Sequence, residues 1–104
     1  MLNLFKVLAD ENRLKIFIML LHEDYCVCDI VQFLQLKQAN VSKHLMYFRT
    51  CHLVESNRYG KWNHYAISSA TRNELKDLIR FIKNLEIAKE IEKNLKNYEK
   101  QTCN

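Results

Sequence analysis

Apolar positions fall into helical stripes at both ends of the chain and alternate with polar ones only between Leu53 and Ile67. Leu4, Phe5 and Leu8 share one helical face, and Asp10 offers a carboxylate to the open amides at the start of a second helix. That helix is predicted from about Glu11 to His22, where Leu14, Phe17, Ile18 and Leu21 follow the three-four spacing that buries one face. Glu23 to Tyr25 reads as a short polar connection. Ile30, Val31, Phe33 and Leu34 then predict a helix of about two turns, with Asp29 near its positive end. A link from Gln35 to Lys37 leads into another helix, from about Gln38 to Cys51, whose inward face is Val41, Leu45 and Phe48. Two helices joined by so short a link form a helix-turn-helix candidate.

Beyond it, Val54, Trp62, Tyr65 and Ile67 favour strands, and Arg58-Tyr59-Gly60-Lys61 supplies a turn, predicting a β-hairpin with a basic tip. Tyr59 and Trp62 read as hairpin core or flank. Ser68 or Ser69 can cap a last helix carrying Leu75, Leu78, Ile79, Ile82, Leu85, Ala88, Ile91, Leu95 and Tyr98. An unbroken helix of about 30 residues would be about 45 Å long, against a radius of gyration near 13 Å for a domain of this size. One subunit could not cover such a stripe, so a homodimer packed through the terminal helices, about residues 69–100, is expected. The predicted fold class is mainly α with one β-hairpin.

Length changes little in this picture: 104 residues make one domain, 1–104. The absence of proline and the single glycine, Gly60, leave little of the chemistry that phosphate-cradling loops need. The longest apolar run, Ile16 to Leu21, falls far short of the roughly 20 residues that span a bilayer, and Met1 begins no signal-peptide pattern. A cytoplasmic protein with no membrane partner is expected. Charge adds more. Residues 37–65 carry the whole net excess of +4, with Lys37, Lys43, Arg49, Arg58 and Lys61 opposed only by Glu55. So local a basic excess points to a polyanion partner.

The four cysteines, Cys26, Cys28, Cys51 and Cys103, are too few and too irregular for a disulfide scaffold, which makes ligands or sensors the better reading. In a regular helix Cys26 and Cys28 would point about 200° apart and could not share an ion. Either the first turn is not helical before a ligand arrives, or the ligand unwinds it. Thiolates select soft or thiophilic ions, here As(III), Sb(III), Cd(II) or Pb(II).

Leu8-Ala9-Asp10-Glu11-Asn12-Arg13-Leu14, Cys26-Val27-Cys28-Asp29-Ile30, Val41-Ser42-Lys43-His44-Leu45 and Gly60-Lys61-Trp62-Asn63-His64-Tyr65 resemble, in order, motifs of the ArsR/SmtB family of metal-responsive repressors. The resemblance implies a winged helix-turn-helix and a dimer that occupies operator DNA until an inducing metal or metalloid binds, with no enzyme activity. A helix entering the major groove needs donors and acceptors in its first turns, and Gln38, Ala39, Asn40, Ser42, Lys43 and His44 fit. By the same resemblance Gln38, Asn40 and Ser42 face bases or sugars, Lys43 meets bases or phosphates, and His44 meets phosphate or stabilises the helix surface. Arg58 and Lys61 would sit over a neighbouring minor groove.

The chain departs from the family pattern in places. Lys37 stands where a serine or threonine commonly caps the recognition helix, and Val31 where some arsenic sensors have a third cysteine. Cys103, on the tail of either subunit, is then the first candidate for a third ligand, and Cys51 is expected to fill core. The terminal helix has no histidine, which disfavours the family's zinc and nickel sites there. Four other readings stay open. The thiols could serve a redox switch or simply pack; Cys28 could be an enzyme nucleophile with His22 or His64 as base; or the chain could be an interaction module that never touches DNA.

Overall fold

The computed structural model describes residues 4–100, apart from the side chains of Leu4, Val7, Tyr59 and Trp62, so the expectations for Tyr59, Trp62 and Cys103 lie outside the described residues. Helix α1 (Leu4–Ala9) leads into α2 (Glu11–His22), whose cap is Asp10, its carboxylate accepting from the Arg13 amide at 3.1 Å. The second half of α2 is buried on every side: Ile16 through Leu21 all lie in the core, more than the single stripe of the sequence pattern. This helix is therefore the axis around which the other elements pack.

The helix-turn-helix forms as expected from α3 (Val27–Leu34) and α4 (Gln38–Thr50). Its turn lacks glycine, yet Gln35 takes the left-handed conformation (φ 55°) and its amide donates to the Val31 carbonyl. Holding a glutamine there costs about 1–2 kcal/mol, which the packing of Ile30 and Val41 on either side of the turn must offset. Lys37 heads α4 without a side-chain hydrogen bond, as its departure from the family pattern implies. Val41, Leu45 and Phe48 are buried, with Phe48 tilted against Phe17 of α2 at 6.3 Å between ring centres. Cys51, which follows α4, packs partly buried against this core.

Strands β2 (Val54–Tyr59) and β3 (Trp62–Ile67) pair antiparallel around Gly60, which at φ 64° meets the turn's left-handed requirement. The expectation of a lone hairpin needs correction. Tyr25–Cys26 forms a short strand, β1, antiparallel to β3 with Tyr25 opposite Tyr65 and Cys26 opposite His64, giving a three-stranded sheet in the order β1-β3-β2. Two residues carry too little alternation to show in the sequence; β1 exists because the inner strand offers it a partner.

The second correction concerns the C-terminal region. In place of one long helix there are three, α5 (Ser69–Glu74), α6 (Lys76–Lys83) and α7 (Glu86–Leu95). Ser68 caps α5. The Asn84 side chain donates to the Arg80 carbonyl at 2.9 Å and Leu85 is extended (ψ 147°), so α7 turns away from α6 and packs on α2. Ala88, Ile91 and Leu95 are thereby buried within one chain. The apolar stripe that seemed to demand a partner subunit is mostly covered at home, and a dimer can no longer be argued from helix length. Among the described residues, the large apolar side chains left exposed are Phe81 on α6 (65%), Phe5 on α1 (78%) and Met46 on α4 (66%).

Candidate nucleic-acid interface and thiol site

Burial of Val41, Leu45 and Phe48 fixes which face of α4 turns outward, and Gln38, Ala39, Asn40, Ser42 and Lys43 are all exposed on it. Arg49 is exposed further along the helix, and Lys61 is exposed at the hairpin tip. Arg58 is exposed too, but its Nε donates to the Gly60 carbonyl at 2.9 Å, so the guanidinium folds over the turn. The one carboxylate of the basic segment, Glu55, accepts from the Ser69 amide at the start of α5. The structure thus gathers the predicted polar helix face and a basic tip on neighbouring elements.

His44 differs from the other predicted contacts in being half-buried. Burial holds its imidazole below the ordinary value of 6.5, opposed by the Asp10 carboxylate and reinforced by the charges of Arg13 and Lys43. The folded protein therefore resists protonating His44, whereas the unfolded chain takes up that proton near 6.5. More protons bind to the unfolded state, so stability should fall as pH drops below that value, until the folded imidazole titrates too. His44→Gln should flatten the pH dependence of the urea midpoint between about pH 7 and about pH 5; an unchanged profile would discount the burial.

The thiol pair lies where β1 passes into α3. Cys26 is the last residue of the strand and caps the helix in extended backbone (φ −84°, ψ 171°), while Cys28 sits in the first turn, half-buried. The regular-helix geometry that would keep the sulfurs apart does not apply, because Cys26 is outside the helix. Cys26 is 1% exposed, and both its amide and its Sγ donate to Asp29 Oδ2 at 3.2 Å. Asp29, expected only as a favourable charge, is wholly buried, and its other oxygen accepts from the Tyr98 hydroxyl at 2.9 Å. Both cysteines open on a cavity of about 430 Å³ whose walls include Val31, Gln38, Lys61 and Asn63. One hollow therefore adjoins the thiols, the first residue of α4 and the basic tip.

Sequence reasoning missed the strap that crosses this region. Tyr98 meets Tyr25 and Phe33 edge-on at 6.2 and 5.4 Å, and Lys100 Nζ lies 2.9 Å from Glu23 and 3.2 Å from Asp24. Burial pulls the Lys100 ammonium down, but these two carboxylates outweigh it and hold it above its ordinary value. Burial, with Glu23 and Asp29 next, pushes the Tyr25 phenol up to about 12. Tyr98 is 69 positions from Asp29, and no local spacing in the sequence points to such a contact. His22 lines a different cavity, with Ile82 and Glu92, and His64 Nδ1 lies 3.4 Å from Asp24.

Among the described residues no group of three or more His, Cys, Asp or Glu side chains could hold a metal ion, and no helix is long and apolar enough to cross a membrane. The two thiols nevertheless suit a soft ion, with any third donor coming from elsewhere.

Comparison with known proteins decides the family. The model of the bacterial regulatory protein arsR family matches residues 10–56, from the cap of α2 into β2. The arsenical resistance operon repressor of Bacillus subtilis 168 is 32% identical over 72 residues, covering 68% of this chain and 69% of that protein. The chain belongs to the arsR family. The arsenical resistance operon repressor of Escherichia coli K12 is 44% identical over 69 residues, 64% of this chain and 58% of the repressor, so the arsR chain described here spans under two thirds of that relative. Among solved structures, reduced HlyU from Vibrio cholerae N16961 superposes with a TM-score of 0.71 at 32% identity, covering 82% of this chain and 86% of that one. The arsR fold, a winged helix-turn-helix with β2 and β3 as the wing, is the architecture found here.

Proposed function

We propose that this arsR-family chain is a homodimeric, cytoplasmic transcriptional repressor that binds operator DNA and lets go when a thiophilic metalloid or metal binds Cys26 and Cys28. Arsenite or antimonite is the first choice of inducer, supported by the arsenical resistance repressors it resembles, and cadmium or lead the next. The observation that carries the reading is the placement of both thiols at the β1–α3 junction, on the helix that a three-residue link joins to α4. Capture of a soft ion would take the Cys26 sulfur from Asp29 and disturb the capped start of α3, shifting α4 against the wing. Two discrete arrangements of that junction are what an allosteric release requires, with a coupling of about 1–3 kcal/mol, or roughly 5–150-fold in affinity.

Gln38, Ala39, Asn40, Ser42 and Lys43 are the proposed contacts in the major groove, with His44, Arg58 and Lys61 toward the backbone. Cys103 is the proposed third protein ligand. It lies three residues past Lys100, which is anchored on Asp24, and three residues of extended chain reach about 10 Å. The dimer is proposed through α1 and the terminal helices, where Phe5 and Phe81 remain exposed.

Titration of the DNA-bound protein with As(III), Sb(III), Cd(II), Pb(II) and Zn(II) tests the reading, following both release and thiolate-to-metal absorbance. Release by As(III) or Sb(III) at the lowest concentration is expected; release by none of the five would overturn it. Lys61→Ala should weaken operator binding severalfold and reduce the slope of log affinity against log salt by about 0.9, the share of one phosphate contact. Equal affinity at two salt concentrations would remove the wing from the interface.

A redox switch on the same thiols is the second reading, favoured by the likeness to reduced HlyU. Release by peroxide or polysulfide, with arsenite inert, would select it.

A further inference from the structure

We infer that Met46 reads the 5-methyl group of a thymine in the major groove of the operator, and so supplies a base preference that the polar contacts of α4 do not. The inference deepens the proposed operator binding and rests on it. Three observations lead there.

The first is position. Burial of Val41, Leu45 and Phe48 fixes the rotation of α4, and at about 3.6 residues per turn Ala39, Lys43, Met46 and Thr50 fall within about 50° of the line opposite them. Met46 is 66% exposed there, one turn beyond Ser42 and Lys43. The Thr50 hydroxyl donates back to the Met46 carbonyl at 2.9 Å, which leaves Met46 as the last long side chain along the line. The neighbouring flank of α4 turns to the protein instead: the Arg13 guanidinium lies 4.4 Å from the Tyr47 ring centre, and His44 is half-buried.

The second is the charge around it. Helix α4 carries no carboxylate, and Lys43 and Arg49 are exposed before and after Met46. An apolar tip between two cations fits a polyanion that offers an apolar spot, and fits the hydrocarbon face of another protein less well.

The third is the chemistry of the groove. Base edges in the major groove present donors and acceptors, and thymine alone adds an apolar group, its 5-methyl. Over any other base a methionine would cover polar atoms without replacing the hydrogen bonds they make to water. Over thymine, hydrocarbon meets hydrocarbon, and the unbranched thioether is supple enough to follow the methyl. Ala39 is the other apolar residue of the outward line, seven residues before Met46. That separation is about 10 Å along the helix, or about three base steps of roughly 3.4 Å. The bases that Ser42 and Lys43 reach would lie between.

The duplex for the test is one that the protein itself selects from a randomised library. Each thymine of a selected half-site is replaced in turn by deoxyuridine, which lacks the 5-methyl group but keeps O4 and the Watson–Crick edge, and affinity is read by fluorescence anisotropy. At one thymine of the half-site the replacement is expected to weaken binding by the parent about fourfold, the worth of one buried methylene-sized group. Met46→Ala should bind the thymine duplex about fourfold more weakly than the parent and be indifferent, within about 1.5-fold, to deoxyuridine at that place. Met46→Gln, of equal length but polar, should lose the dependence on the methyl as well. Replacement that is silent at every thymine, or that weakens the parent and Met46→Ala alike, would overturn the inference while leaving operator binding standing. So would a Met46→Ala protein that lost affinity equally for all duplexes, the mark of a sugar or phosphate contact, or one whose oligomeric state changed, the mark of a protein interface. Failure of the parent to enrich any sequence would instead remove the DNA reading on which the inference rests.

Discussion

Replacing Cys28 by serine should leave operator affinity within about twofold of the parent, as expected of a substitution outside the core. The same change should raise the arsenite concentration needed for release by more than about a hundredfold, the upper end of what loss of an outer-shell partner costs. The two halves of this expectation come from different features. Operator affinity is assigned to the exposed face of α4 and to Lys61, none of which depends on the Cys28 sulfur for its fold. Release is assigned to the β1–α3 junction, where a serine hydroxyl keeps the shape of the thiol but is a hard, weakly ionising donor. A mobility-shift titration with and without arsenite measures both. Release that persists in Cys28→Ser at the parent's arsenite concentration would dismiss the site. Loss of operator binding without arsenite would instead mean that Cys28 packs for stability, the bland alternative for a half-buried cysteine.

How the sequence discloses these features follows their range along the chain. Asp10, the stripe of α2, the three-residue link and the inward face of α4 are local, written in spacings of three and four, and all form where expected. The exposed recognition face follows from the same periodicity, since burying Val41, Leu45 and Phe48 leaves the intervening polar residues outside. Features that depend on a distant partner did not show. Strand β1 is two residues long and exists only beside β3, and the Asp29–Tyr98 bond joins residues 69 apart. The long terminal helix was misread for the converse reason. Its apolar spacing continues through the break at Asn84 and Leu85, because the residues of α7 are apolar toward α2 just as those of one straight helix would be toward a partner. Periodicity records that a face is buried and is silent about what buries it.

The consequence of that long-range contact is testable through stability. Asp29→Ala should destabilise the fold by about 2–4 kcal/mol, of which loss of the cap on α3 accounts for about 1 and the orphaned donors for the rest. The wholly buried carboxylate receives the Cys26 amide, the Cys26 thiol and the Tyr98 hydroxyl, and alanine would leave all three without that acceptor. Removing a buried charge also relieves its desolvation cost, which is why the expected loss stays below the sum of three separate bonds. Asp29→Asn sharpens the argument. Its amide oxygen can face Cys26 while its NH2 donates to a rotated Tyr98 hydroxyl, so a loss of only about 1 kcal/mol is expected. Tyr98→Phe removes one donor and leaves the cap. If the strap and the cap act through the same carboxylate, Asp29→Ala and Tyr98→Phe should couple by about 0.5–1 kcal/mol in a double-mutant cycle read from urea midpoints. Additive losses would separate the strap from the junction, and an Asp29→Ala protein within about 0.5 kcal/mol of the parent would show that this carboxylate does not hold the start of α3.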